Sequence, residues 1–303
     1  MDEIPSFSFF LEQAELGKKN AQYNVGILYS LGNGVAKDEQ KAFEWFRKAA
    51  DQGLDLAQYN VGHCYKEGCG VDIDEMEAMS WFRKAADQGF SAAQYKLGHA
   101  YQTGCGVVKD EQEAFYWMKE AADQGVVGAQ MAIAVCYMDG TGIEKNAQQA
   151  AIWLRKAADQ GVPLAQSIFG VYLSLGFGVE KDECEAVDWF RKAAEQDDPA
   201  AQLNLGFCYA QGQGIRENKQ AAVHWFHKAA SQGNPEAQYN LGLCYKNGRG
   251  VDIDDDEAEN WFRKAAKNGL AAAEQALGYK FRNSLEEWEA MLGDFDALSK
   301  RIS

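Results

Sequence analysis

The chain has little proline, little histidine and no long hydrophobic run. It carries 4 Pro and 4 His in 303 residues, and no stretch approaches the ~18 consecutive apolar residues that a membrane span requires. Positive charge is in deficit, 30 Lys and Arg against 45 Asp and Glu, for a net charge of −15. Phosphate binding needs a surplus of cations on one face, so neither nucleic acid nor a membrane span is expected. Seven cysteines make an odd number without paired spacing, which points to free thiols and a reducing compartment. The opening "MDEIPSFSFFLEQAELGKKN" lacks both a basic start and an uninterrupted apolar run. A signal peptide is therefore not expected and the expected location is cytoplasmic, with non-classical export as the alternative. There is no G-x-S-x-G, phosphate loop or H-E-x-x-H, so no enzyme and no cofactor is expected.

What is present is one unit written seven times. "AQYNVGILYSLGNGVAKDEQKAFEWFRKAADQGLDL" begins at Ala21, and its counterparts begin at Ala57, Ala93, Ala129, Ala165, Ala201 and Ala237, each 36 residues on. Residues 1–20 match the second half of a unit, with Phe9 where Trp45 stands and Gly17 where Gly53 stands. Residues 21–272 are the seven repeats (21–56, 57–92, 93–128, 129–164, 165–200, 201–236, 237–272), and 273–303 hold a first half followed by a divergent cap, with Trp288, Met291 and Leu292 available to cover the last repeat. A dimerisation role for that cap is the rival expectation.

Taking the leading Ala as position 0, positions 0, 1, 4, 5, 7 and 8 fall on one side of a helical wheel, which predicts a buried face. Gly at positions 11 and 13 stops that helix in all seven repeats, from Gly32 and Gly34 to Gly248 and Gly250. Position 17 is Asp38, Asp74, Asp110, Asn146, Asp182, Asn218 or Asp254, each an N-cap residue for a second helix. Ala at 21, Trp at 24 and paired Ala at 28 and 29 form its apolar stripe. Pro163, Pro199 and Pro235 share position 34 and predict where the next first helix starts. Gly at position 5, replaced only by Ala134, loses ~1 kcal/mol of helix propensity relative to Ala, which close helix contact would offset. Short helix pairs bury a continuous core only when stacked, so the expected fold is all-α, a right-handed α-solenoid of antiparallel helix pairs.

The pattern A-x-x-x-[LV]-G-x-x-Y-x-x-G-x-G-V-x-x-D-x-x-x-A-x-x-W-[FLM]-x-K-A-A-x-Q-G over residues 9 to 281 resembles the Sel-one-like repeat family, relatives of the tetratricopeptide solenoids. Local departures are Leu173 for the position-8 Tyr, Asp197 for the loop Gly and Glu120 for Lys. The resemblance implies a bacterial-type scaffold or adaptor that holds partner proteins or peptides. A cysteine-rich branch of the family has a disulfide in each repeat; this chain lacks the second cysteine in its "KAA" segments and does not resemble that branch.

"GHCYKEGCG", Gly62 to Gly70, has the look of a metal or redox site, but the register argues otherwise. Cys64 shares position 7 with Cys136, Cys208 and Cys244, and with Leu28, Ala100 and Tyr172, which marks an inward apolar place. Cys69 and Cys105 lie between turn glycines, where Asn33, Thr141, Phe177, Gln213 and Arg249 also occur, so an exposed and tolerant place is expected, with the two thiols of the stretch pointing apart. His63 and His99 share position 6 without a Cys or carboxylate in their row, a poor zinc site. His224 and His227 have no nucleophile beside them. "VDIDEME" and "VDIDDDEAE" lack the glycine and the closing Glu of a calcium loop. No metal is expected. The basic residues of "RKAA" complement the C-terminal dipole of the second helix.

If the repeated positions build the scaffold, the varying ones carry what is particular to this chain. On the first helix these are 2, 3, 6, 9 and 10, opposite the buried arc. Repeats two, three and seven are polar and aromatic there: Tyr59, His63 and Lys66; Tyr95, His99 and Gln102; Tyr239, Asn240 and Lys246. Repeats four to six are apolar: Met131, Val135 and Met138; Ile168, Val171 and Leu175; Leu203 and Phe207. Such a strip on an acidic protein marks a partner site. The expected ligand is a peptide or protein segment with basic flanks, its backbone bonded by Asn24, Asn60, Asn204 and Asn240. Burial of the strip by curvature is the competing expectation. A regulatory subunit or a small-ligand site on the Tyr and His row is the alternative function.

Overall fold

The structure, a computed structural model, describes residues 7–277. The expected cap residues Trp288, Met291 and Leu292, and the dimerisation role considered for them, lie outside the described residues. A leading helix α1 (Phe7–Glu15) is followed by seven pairs. The first helices are α2 (Lys19–Leu31), α4 (Asp55–Glu67), α6 (Ser91–Thr103), α8 (Val127–Asp139), α10 (Pro163–Leu175), α12 (Pro199–Gln211) and α14 (Pro235–Asn247). The second helices are α3 (Glu39–Asp51), α5 (Glu75–Asp87), α7 (Glu111–Asp123), α9 (Ala147–Asp159), α11 (Glu183–Glu195), α13 (Lys219–Ser231) and α15 (Asp255–Lys267), and residues 271–277 are again helical. The described residues are thus all-α. They form two compact units, one up to Gln160 and one from Gly161.

The helix boundaries follow from the residues predicted to set them. Every position-17 side chain accepts a hydrogen bond from a backbone amide in the first turn of its second helix, as Asp38 does from Lys41 at 3.0 Å and Asn218 from Ala221 at 3.0 Å. Each first helix ends on a left-handed glycine, and α10, α12 and α14 begin on proline. Asp197, which takes the place of the loop glycine, adopts the same left-handed backbone at φ 62°.

The core lies across the seams. One buried cluster joins Ala78, Phe82 and Ala86 of α5 to Ala93 and Leu97 of α6 and Trp117 of α7; another joins Phe226 and Ala230 of α13 to Leu241 of α14 and Trp261 of α15. Both clusters cross a seam, so each of these repeats completes its core against its neighbour. The glycine at position 5 allows the tight approach inside a pair. A Cβ on Gly206 would stand 2.5 Å from the Phe226 ring, and one on Gly62 would stand 2.9 Å from Phe82. In the fourth repeat Ala134 fills that place and the facing residue is Leu154, not Phe. Volume gained on one helix is given up on the other.

The seam also has a polar rung that sequence reasoning placed on the buried face without assigning it a partner. Position 1 is Gln in every repeat and buried, as at Gln58, Gln94 and Gln202. Gln94 donates through Nε2 to the Ala86 carbonyl at 3.3 Å, at the end of the preceding second helix, and accepts through Oε1 from Gln124 Nε2 at 2.7 Å. Gln124 also donates to the Gly89 carbonyl at 3.0 Å. The pattern recurs at Gln58 with Ala50 and Gln88, and at Gln238 with Ala230 and Asn268. Each rung therefore adds a second hydrogen bond to a carbonyl at a helix end that already accepts from the turn glycine, as Ala86 does from Gly89 at 2.8 Å, and in doing so satisfies the buried glutamine amide itself.

The basic residues late in the second helices do more than complement the dipole. Lys84 Nζ lies 3.5 Å from the Trp81 ring centroid on the same helix, and Arg47 of the preceding repeat lies 4.6 Å from that ring. Arg83 repeats the contact on Trp117 at 4.9 Å.

Two stability measurements check this account. Gly206→Ala is expected to destabilise by about 1–2 kcal/mol despite better helix propensity, and pairing it with Phe226→Leu should recover at least about 1 kcal/mol in a double-mutant cycle followed by urea unfolding. Gln94→Leu removes two hydrogen bonds, to the Ala86 carbonyl and from Gln124, whose groups keep their bonds to Gly89, and should lose about 2 kcal/mol, against about 1 for the exposed Gln124→Leu.

Candidate functional site

The varying positions of the first helices lie beside the recurring glycine, alanine and glutamine positions that build the seams. Position 2 proves to be the rim of the core. Tyr59 packs on Phe82 and Phe90 with ring centroids 5.4 and 5.2 Å away, and Tyr239 packs on Phe262 at 5.4 Å. Burial pushes the Tyr59 phenol above its ordinary pKa. Position 6 faces outward in the first unit, where His63 and His99 are exposed and Val135 is 43% exposed, while Met131, Met138 and Tyr95 are half-buried.

In the second unit Ile168 and Val171 are half-buried and Leu175 is 71% exposed. Phe207 is half-buried and rests edge-on against Phe226 at 5.3 Å. Leu203 is the exception. At 6% exposure it belongs to the buried cluster with Phe226 and Leu241, because position 2 leans onto the facing second helix. The apolar residues expected to form one strip thus lie on two compact units, with Leu203 withdrawn into the core.

The asparagines differ in what they have free. Asn60 Nδ2 donates to the Tyr23 hydroxyl at 3.3 Å and Asn240 Nδ2 donates to the Glu236 carbonyl at 2.8 Å, so each keeps one amide N–H and its side-chain carbonyl for a ligand. Asn24 and Asn204 are half-buried.

Cys64, Cys136, Cys208 and Cys244 are buried as expected. Cys69 and Cys105 are half-buried instead of exposed, and Cys69 packs on the same apolar cluster that contains Cys64. The two thiols of "GHCYKEGCG" therefore share a neighbourhood: the turn folds Cys69 back onto the end of α4, where its amide donates to the Cys64 carbonyl at 3.0 Å. Burial pushes the Cys64 thiol up to about 12 and the Cys208 thiol up to about 11. Among the described residues no three His, Cys, Asp or Glu side chains are placed to hold a metal ion, and no helix is long and apolar enough to cross a membrane.

The Sel1 repeat model matches residues 19–54, 55–90, 91–126, 127–162, 163–198, 199–234 and 235–270. The chain belongs to the Sel1-repeat family. The matched boundaries fall two residues before the alanines at 21 to 237, at the first helical residue of each pair. Among solved structures this Sel1-repeat chain is similar to c5321, a protective antigen present in uropathogenic Escherichia coli strains and displaying an SLR fold. The identity is 37%, the TM-score 0.85, and the match covers 91% of this chain and 59% of that one. The chain therefore spans about three fifths of the antigen's length. A Sel1 repeat protein from Oxalobacter formigenes is similar at 35% identity and a TM-score of 0.64, over 90% of this chain and 79% of that one. Among curated proteins no relative matches. Sel1-repeat proteins are in general protein-interaction scaffolds without catalysis.

The thiols give a direct check on the burial pattern. Raised pKa values leave little thiolate, so iodoacetamide at pH 8 should label exposed Cys184 first, while Cys64 and Cys208 react only after denaturation, read by peptide mass spectrometry.

Proposed function

We propose that this chain is a non-catalytic scaffold that holds a partner protein or peptide on the first-helix faces of its repeats. The observation that carries the reading is the division of labour within each helix. Residues that recur, such as Gln94, Gly98 and Leu97, are buried in seams, whereas residues that change, such as His99, Val135 and Leu175, reach solvent. A surface whose residues differ from repeat to repeat can distinguish one ligand from another; one that only repeats cannot.

In the first unit the face offers His63, His99, the exposed Val135 and the half-buried Met131 and Met138. Methionine adapts to irregular apolar ligands. In the second unit it offers Ile168, Val171, Leu175 and Phe207. The fitting partner is an amphipathic or extended segment that places apolar side chains on these residues and takes hydrogen bonds from Asn24, Asn60 and Asn204. The net charge of −15 favours basic flanks on that segment.

A photo-reactive phenylalanine analogue placed at Val135 or Leu175 should give partner adducts in the native organism, while one at Ile152, equally accessible on second helix α9, should give none. Adducts from Ile152 alone would overturn the proposal. Leu175→Asp should reduce capture while shifting stability by no more than about 0.5 kcal/mol, because the side chain is already in water.

A further inference from the structure

The first unit contains a recess of about 280 Å³ between its second and third repeats, lined by Lys66, Met79, Tyr95, Lys96, His99 and Cys105. Its lining is unlike anything the register supplies elsewhere. Position 3 is Asn, Ala or Ile in every other repeat, and only here is it a lysine, Lys96. Lys66 comes from position 9 of the preceding repeat, so two lysine side chains border the same recess from neighbouring first helices, α4 and α6. Both side chains are half-buried, and neither enters an ion pair among the described residues. Burial, and after it a hydrogen bond to Glu75, raise the pKa of the Cys105 thiol at the edge of the recess.

Two like charges converging on a small space repel one another, and partial burial strengthens the repulsion by lowering the local dielectric. An arrangement of this kind is relieved when an anion enters. The walls select among anions. Met79 supplies an apolar wall and His99 a ring able to bond an oxygen, while the recess leaves room for several waters of ~30 Å³ each.

We propose that this recess binds a carboxylate of the partner, from an acidic side chain or a free C-terminus, through charge-assisted hydrogen bonds from Lys66 and Lys96. The inference rests on the first-helix face being the partner surface and adds the chemistry of one contact on it. The whole chain is acidic and attracts basic segments from a distance, but at this point the local sign is reversed. The recess therefore sets where along the face a mixed-charge segment comes to rest.

The test uses the full chain labelled with ¹³C-methyl methionine, read by NMR at the Met79 methyl and the His99 ring. Three probes are titrated: acetyl-Ala-Glu-Ala-amide, acetyl-Ala-Ala-Ala with a free C-terminus, and acetyl-Ala-Gln-Ala-amide. A saturable shift with either of the first two and none with the Gln peptide supports the proposal, and which of the two binds tells side chain from terminus. Lys66→Gln with Lys96→Gln should weaken binding at least tenfold, Lys66→Arg with Lys96→Arg should retain it, and added salt should weaken it in the parent chain. Equal shifts with the Gln peptide, undiminished binding by the double Gln variant, or no shift up to the solubility limit of the acidic probes would each overturn it. The adducts expected at Val135 and Leu175 do not depend on Lys66 or Lys96, so the recess and the wider face fail separately.

Discussion

A buried amide at each seam decides how one helix pair meets the next. The position-1 glutamine reaches back to a carbonyl at the end of the previous second helix and forward to the glutamine or asparagine that closes its own repeat. The backbone acceptor fixes which end of the amide is nitrogen, and this leaves the oxygen for the second partner. An apolar residue of the same size would fill the space but would not select the register, because apolar packing tolerates sliding and a hydrogen bond between fixed groups does not. The alanine-lined seams, the arginines laid over the next repeat's tryptophans and the close turn glycines all presuppose that register. Gly214 has a φ of +63°, and a Cβ there would stand 2.0 Å from the Glu183 carbonyl of the preceding repeat.

With the seam fixed, the rest of each helix pair is free to differ in compensated ways. Ala134 opposite Leu154 is such a compensation, a Gly and Phe pair rewritten without loss of contact. Asp197 keeps a left-handed turn that six other repeats give to glycine; Asp is among the few residues that accept it. Beyond the core rim, where Tyr59 and Tyr239 still lean on phenylalanines, exposed side chains such as His99, Val135 and Leu175 are free to vary from repeat to repeat. Partner recognition is proposed for that zone.

Most of the architecture was legible in the chain because its signals are local. N-caps, stop glycines and helix-starting prolines act within a few residues, and the 36-residue recurrence made each one visible seven times. The glutamine rung was visible only as an invariant letter, since its partners lie 8 and 30 residues away and nothing in the letter names them. Leu203 was misplaced for a similar reason: a wheel gives the direction of a side chain around its own helix, but the neighbouring helix decides whether that direction is covered. Cys69 was placed in solvent because the turn's path back onto α4 depends on two left-handed glycines acting together. Lys96 carried a signal that could have been read, as the one charge in its column, but its meaning depended on Lys66 arriving from the previous repeat.

The rung also bears on how such a chain changes length. Every donor finds its acceptor at a spacing measured within one repeat or across one seam. Excising or duplicating 36 residues therefore reconnects every amide to an equivalent carbonyl, whereas a cut of any other size strands them on both sides of the join. Lineages built this way grow and shrink in whole steps, and each step adds one more column of unconstrained side chains on which a new specificity can be written.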